Sequence, residues 1–350
     1  MATVKEIQKT IFQKLIENTG ITLASYPHIR IYVTKEEHDF LASNIHVLST
    51  YVFNRQVCFS LLECDGKVYF VSLGISNELI SAELSACENQ KVLSMMSIAS
   101  SKIERIVTKS ESELLNEIFT DPSVEDVNWE TTASYFPEII TYEVNSPVGA
   151  TPAENNAALK HLALYTLVCS PEVLILPFEA ATLQKYTALL NTGDKNIPED
   201  NLLHSLSSNY WRFCYFDIYR CIERLYRLGL VHNFKNSLSS GLPIDLLHTA
   251  LKDKFLMKTG VESHEDTNLN YLFSLLTPAT CSILDSVRNG ENYDKFIYSL
   301  RNKIVHFQKS EAEIEAIDDA KWNVIIRFLL SAIEELYPMF ITYIATLPDE

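Results

Sequence analysis

Apolar residues in the first part of the chain recur at two different spacings. Ile7, Ile11, Leu15 and Ile16 fall three to four residues apart, which predicts an amphipathic N-terminal helix. β-Branched and aromatic residues crowd 29–33, 45–53, 57–64 and 68–73, which predicts strands. Between the last two runs stand Asp65 and Gly66, a pair that accepts the positive φ angles of a tight hairpin. Helical spacing returns over 78–100 and 110–119, and 139–144 reads as a further strand. Residues 1–150 are therefore expected to form a small α+β domain, with a possible sensing or regulatory role.

Residues 145–156 collect two prolines, a glycine and several small polar side chains, a composition that suits a linker. Beyond it the strand signals fade. The runs 157–169, 180–191, 202–228, 243–257, 269–276, 293–308 and 319–346 all predict helices, so residues 151–350 are expected to be an all-α bundle.

Composition narrows the classes. With 350 residues, 47% hydrophobic, and only 9 Gly and 12 Pro, the chain can bury full cores, which excludes disordered and collagen-like readings. The net charge of −16 argues against a protein that coats nucleic acid or an anionic membrane over a wide surface. Both halves share the excess: 1–150 holds 11 Lys/Arg against 20 Asp/Glu, and 151–350 holds 18 against 25. Seven cysteines, an odd number with no C-x-x-C pair, read as thiols of a reducing compartment. The first twenty residues show no apolar signal-peptide core, and the most apolar windows are short or interrupted by Arg327. A cytoplasmic protein without a membrane partner is the expectation.

Dinucleotide, P-loop, zinc-protease and serine-hydrolase signatures are absent, and the nine histidines show no metal-ligand spacing, so neither cofactor nor metal is expected. Glu36, Glu37, His38 and Asp39 form a polar cluster that could do acid/base work, but acidic residues also suit the first turn of a helix. In 202–228 the spacing of Arg220, Arg224 and Arg227 puts them on one helical face, either as a solvated strip paired with Asp217 and Glu223 or as a strip for phosphates. The aromatic run 210–219 reads mainly as bundle core, with base stacking as the other use.

The helix over 293–308 carries the most specific chemistry. Wound at about 100° per residue, Phe296, Ile297, Leu300, Ile304 and Phe307 share a core-facing arc, while Arg301, Asn302, Val305, His306 and Lys309 fall on the opposite side. An arginine beside a histidine suits phosphodiester chemistry. The guanidinium can hold a phosphate in a bidentate contact, and the imidazole can move protons near neutral pH. If the substrate is RNA, its own 2′-hydroxyl is the nucleophile. Spacing alone is weak evidence, because a second Arg-x4-His occurs at Arg227 and His232; there Gly229 is expected to end the helix.

The string Tyr298-Ser-Leu-Arg-Asn-Lys-Ile-Val-His-Phe307 resembles the R-N-x-x-x-H signature of the HEPN superfamily. Residues 319–330 look like the long closing helix of that bundle, and 210–225 are similar to the early helix of its Apea-like group. The resemblance covers roughly 157–345. It implies an HEPN-like bundle that pairs as a homodimer or higher homo-oligomer and cleaves RNA without a metal at a composite site. Arg301 and His306 would be the catalytic pair and Asn302 would orient them. It further implies a place in antiviral defence or a toxin system, with a trigger or antitoxin partner acting through residues 1–150. Because the domain is acidic, Arg220, Arg224, Arg227, Lys303 and Lys309 would have to supply the field that holds RNA. Some HEPN domains are non-catalytic, so a dimerisation domain that binds a nucleotide or partner is the alternative.

Overall fold

Every strand of the chain's main sheet is antiparallel to its neighbours, and the β3–β4 turn shows why. The computed structural model describes residues 3–42, 45–77, 79, 81–87, 91–106, 110–120, 125–146, 148–193, 196–237, 241, 246, 265–305, 314 and 317–344. Strands β3 (Cys58–Cys64) and β4 (Lys67–Leu73) are joined by Asp65 and Gly66 at φ 50° and 75°, the left-handed pair that a two-residue hairpin requires. With β2 (His46–Val52), β5 (Leu84–Ala86) and β7 (Ile139–Val144) they form a five-stranded sheet in the order β2-β3-β4-β7-β5. A separate two-stranded parallel pair joins β1 (Arg30–Ile31) to β6 (Asp126–Val127).

The sequence Cys-Phe-Ser-Leu-Leu-Glu-Cys of β3 is apolar on both alternating faces, which marks a strand covered on both sides. On one face Cys58, Leu62 and Cys64 join Tyr69, Val71 and Leu73 of β4 in a core with helices α1 (Val4–Ile16) and α3 (Lys91–Ser100). The opposite face carries a row of rings, Tyr51, Phe59, Phe70 and Tyr142, with successive centroids 6.4, 5.8 and 6.3 Å apart. Such cross-strand aromatic contacts add to area burial and fix register. The Tyr142 hydroxyl also accepts the Leu79 amide at 2.9 Å. Shorter helices α2 (Lys35–Ala42), α4 (Glu111–Glu117) and α5 (Trp129–Ala133) complete the excursions between strands.

The boundary expected at 145–156 is displaced. Helix α6 (Pro152–Val168) begins inside that stretch, capped by Thr151 with Glu154 closing a capping box and with proline at its first position. It packs along β2 and β3, and the Ser49 hydroxyl donates to Asn156 Oδ1 at 3.3 Å. The chain accordingly divides into units Met1–Val173 and Leu174–Glu350 rather than 1–150 and 151–350. The helix expected over 78–100 is also revised, since β5 occupies part of it.

In the second unit every element among the described residues is helical: α7 (Ala180–Asn191), α8 (Glu199–Leu206), α9 (Trp211–Glu223), α10 (Tyr226–Ser237), α11 (Glu265–Ser274), α12 (Pro278–Ser282), α13 (Tyr293–Val305) and α14 (Asp319–Ile344), with a 3-10 turn at Ile283–Ser286. The chain is thus mixed α+β with a helical second unit. Helix α14 is apolar nearly all round because α7 and α9 both pack on it. Trp322 of α14 stacks on Trp211 of α9, with 6.5 Å between centroids, and Trp211 Nε1 donates to Asp319 at 2.7 Å. The single helix expected over 202–228 is three, interrupted at Ser207 and Arg224. The helix expected over 243–257 lies outside the described residues.

Gly229 lies within α10 and does not end it. A Cβ there would sit 2.8 Å from Cδ2 of the buried Leu272, so the residue permits α10 to approach α11 closely. Among the described residues no helix is long and apolar enough to cross a membrane. Five cysteines are buried, Cys87 is half-buried, Cys169 is exposed, and all are free thiols. Burial pushes the Cys58 thiol up to about 11.

Two glycines test the sheet's turns. Gly66 and Gly74 both have positive φ, but a Cβ at Gly66 meets open space whereas one at Gly74 falls 2.0 Å from the Gln56 carbonyl oxygen. Gly66→Ala should cost about 1 kcal/mol, from backbone strain alone. Gly74→Ala should cost clearly more, because backbone must move. Equal melting temperatures for the two variants would contradict this packing.

Candidate functional site

Helix α13 is held from two sides, and this decides where its polar residues point. Ile297 and Leu300 are buried as its spacing predicts, while Phe296 and Ile304 are half-buried. The Tyr215 hydroxyl of α9 donates to the Ile297 carbonyl at 2.7 Å, and the Tyr337 hydroxyl of α14 donates to the Cys221 carbonyl of α9 at 2.8 Å. The first bond fixes α9 beside α13, and the second fixes α14 on α9.

Arg301 does not face solvent, as the helical wheel suggests; its side chain is only 14% exposed. It lies between two carboxylates, with Nη2 3.4 Å from Glu223 Oε1 of α9 and Nη1 3.3 Å from Glu265 Oε2 at the start of α11. Nη1 also donates to Asn302 Oδ1 at 3.0 Å. Among the described residues its buried Nε finds no acceptor. The wheel fails here because it reports which side of a helix is polar, not what packs there.

Burial disfavours the Arg301 cation, but Glu265, Tyr219 and Glu223 outweigh that effect and raise its pKa. Burial also pushes the Glu223 carboxyl above the ordinary glutamate range, with Arg301 opposing and Glu265 adding to the rise. Beside them the Tyr219 and Tyr226 hydroxyls are hydrogen-bonded to each other, and burial holds both phenols well above their usual pKa. The result is a cation shared by two carboxylates against a wall of neutral phenols.

Asn302 and Lys303 are half-buried and line an open polar cavity of about 630 Å³, together with Asp266, Asn270, Asp294 and Tyr298. Val305 is exposed. His306 and Lys309 lie outside the described residues, as does Phe307.

The arginine strip is largely at the surface. Arg220, Arg224 and Arg227 are all exposed. Arg220 sits 3.9 Å from Asp217 and stacks over Phe216 at 4.6 Å, and Arg224 reaches the Asn196 carbonyl at 3.4 Å. The expected Glu223–Arg227 pairing is replaced by Glu223–Arg301. The aromatic run divides: Trp211, Tyr215 and Tyr219 are core, whereas Tyr210 and Phe213 are exposed and carry the Arg212 guanidinium over their rings at 5.3 and 5.0 Å. A run of rings and guanidinium groups in cation–π contact therefore follows α9.

At the second Arg-x4-His, His232 Nδ1 is 2.8 Å from the Tyr271 hydroxyl and burial lowers its pKa. In the first unit, Glu37 of the polar cluster caps α2 through Thr34 and pairs with Lys91 at 3.3 Å. Among the described residues no group of three or more His, Cys, Asp or Glu side chains could hold a metal ion. No family model, curated protein or solved structure matches the chain.

Removing the cation from this junction should expose two carboxylates to each other. Arg301→Ala should lower stability by about 1–3 kcal/mol, less than a fully buried pair because both glutamates reach solvent. Without Arg301 the Glu223 carboxyl rises further. A carboxyl raised in the folded state favours folding at low pH and costs stability as pH climbs through the carboxylate range. The deficit of Arg301→Ala in urea melts should therefore be larger at pH 8 than at pH 4; a deficit independent of pH would contradict the assignment.

Proposed function

We propose that the second unit is an HEPN-like, metal-independent endoribonuclease that works as a dimer in antiviral defence or a toxin system, with Arg301 and His306 as its catalytic pair. The observation that carries this reading is the placement of Arg301 and Asn302 on α13. They form a hydrogen-bonded pair beside an open polar cavity, with the exposed arginines of α9 and α10 in the same unit.

In the proposed reaction the 2′-oxygen of RNA attacks the adjacent phosphorus and gives up its proton to the His306 imidazole. The bond from phosphorus to the 5′-oxygen breaks, and that oxygen takes a proton from the His306 imidazolium, which returns to its neutral form. The products are a 2′,3′-cyclic phosphate and a 5′-hydroxyl. The Arg301 guanidinium would stabilise the charge that builds on the phosphoryl oxygens. Asn302, which accepts from Arg301, would set its orientation. Arg220, Arg224, Arg227, Lys303 and Lys309 would hold the strand.

Glu223 and Glu265 add a constraint that the motif does not contain. They occupy the same guanidinium donors that a phosphate would use, so the substrate must displace them. This arrangement corresponds to an enzyme kept at rest within one chain. The same observation favours a second reading, in which Arg301 is structural and the unit is a non-catalytic dimerisation domain that binds a nucleotide or partner.

Cleavage of RNA by the purified full chain in EDTA separates the two. The proposal expects products with 2′,3′-cyclic phosphate ends and a loss of at least about 100-fold in rate for His306→Ala, in keeping with the loss of an acid/base group. A dimeric, folded protein that cuts no RNA, or His306→Ala protein that cuts as well as wild type, would overturn it.

A further inference from the structure

In the first unit a concavity of about 1010 Å³ opens between α1 and the segment that leads through β1 into α2. Its charge departs from the rest of the chain. Lys5, Lys9, Arg30 and Lys35 line it, against one acidic residue, Asp126. That acid is already spent: Arg30 Nε lies 2.7 Å from Asp126, and Arg30 Nη2 lies 3.4 Å from Glu125. Lys5, Lys9 and Lys35 are exposed and make no ion pair or hydrogen bond among the described residues. In a unit with an excess of carboxylates, three unneutralised ammonium groups around one concavity are a local reversal of sign.

The geometry also has the spacing an anion needs. Lys5 and Lys9 stand one turn apart on the face of α1 that does not enter the sheet core, roughly 5–6 Å between Cβ atoms. That separation lets two ammonium groups reach neighbouring phosphates. Lys35 approaches from the start of α2, where the Thr34 amide is bound by Glu37 Oε2 and the Glu37 amide by the Thr34 hydroxyl. The floor is firm: Gln8 is buried and donates to the Ile31 carbonyl at 2.8 Å, beneath the buried Phe12. At the rim Tyr32 is 56% exposed, and its backbone carbonyl is pinned by Lys91. Lys91 Nζ also lies over this ring, 5.6 Å from its centroid, so the face turned away from Lys91 is the one on which a flat group can rest.

We propose that this groove binds a small molecule bearing several phosphates, seated on Lys5, Lys9 and Lys35, with Tyr32 available to a ring where the molecule has one. The site is separate from Arg301, so it stands whether or not the second unit cleaves RNA. Inorganic polyphosphate and a nucleoside triphosphate share this chemistry.

The test is calorimetric titration of the full chain with inorganic tripolyphosphate and, separately, with ATP, at low ionic strength. The groove should bind at least one of them saturably, and added salt should weaken binding. Lys5→Glu/Lys9→Glu should lose affinity by about tenfold or more, in line with the loss of two charge-assisted contacts. Both lysines are exposed and Lys5 lies in the first turn of α1, where glutamate suits the helix dipole, so the fold should be kept and is checked by circular dichroism. Lys102→Glu, with the charge change of a single groove substitution at an exposed lysine outside the groove, should bind as wild type. Tighter binding of ATP that Tyr32→Ala reduces to the tripolyphosphate level identifies a nucleotide as the source, whereas equal affinities identify the phosphates alone. If neither compound binds saturably, or Lys5→Glu/Lys9→Glu binds as wild type, the groove is not a phosphate site.

Discussion

The helical unit is organised around one charge that has been taken largely out of water. Arg301 cannot lie in its half-buried position without compensation, and Glu223 and Glu265 supply it from sequence distances of 78 and 36 residues. By doing so they tie together α9, α11 and α13. The phenols of Tyr215, Tyr219 and Tyr226 line the same junction, and the Tyr215 bond to Ile297 sets the height of α13 against α9. Any chemistry performed by Arg301 has to begin by loosening this arrangement. In the proposed nuclease, stability and activity would therefore be opposed through the same two carboxylates.

The first unit is governed by a different constraint, a sheet that must be covered on both faces. Alternation along β3 sends Cys58, Leu62 and Cys64 to one side and Phe59, part of the row of rings, to the other. Helices α1 and α3 cover the first side, and α6 runs along β2 and β3 outside that core. Because α1 commits Ile7, Ile11, Phe12 and Leu15 to the sheet, its remaining face is left to Lys5 and Lys9. The cationic groove is thus a by-product of where α1 has to lie, and its unpaired lysines are what make it worth testing.

Local patterns in the sequence carried a good part of this architecture. The strand at 139–144, the helix at 180–191 and the hairpin at Asp65-Gly66 all follow from periodicity or turn chemistry and stand where those rules put them. The beginning of α6 was equally legible, since Thr151, Pro152 and Glu154 spell a capped helix start, but the nearby Pro, Gly and Ser residues read as a linker. The breaks within 202–228 are harder to see. Ser207 and Ser208 return their hydroxyls to the Leu203 and His204 carbonyls, a local competition that no apolar period reveals. Gly229 read as a stop because glycine often ends helices, whereas contact with Leu272 gives it another purpose.

At the site, the motif located Arg301 and Asn302, but nothing in the spacing pointed to Glu223 or Glu265. Partners so distant in sequence become visible only once α9 and α11 are packed on α13. The arginines of α9 and α10 were legible as an exposed strip, and the division of the 210–219 aromatics between core and surface followed from which face of α9 meets α14.

The central claim, that Glu223 and Glu265 keep Arg301 from a phosphodiester, is tested most directly by equilibrium binding of an RNA made uncleavable by 2′-deoxy substitution. Glu223→Gln/Glu265→Gln should bind it more tightly than wild type, with the gain abolished by adding Arg301→Ala. Equal or weaker binding by the folded double variant would show that the two carboxylates do not compete with phosphate for Arg301.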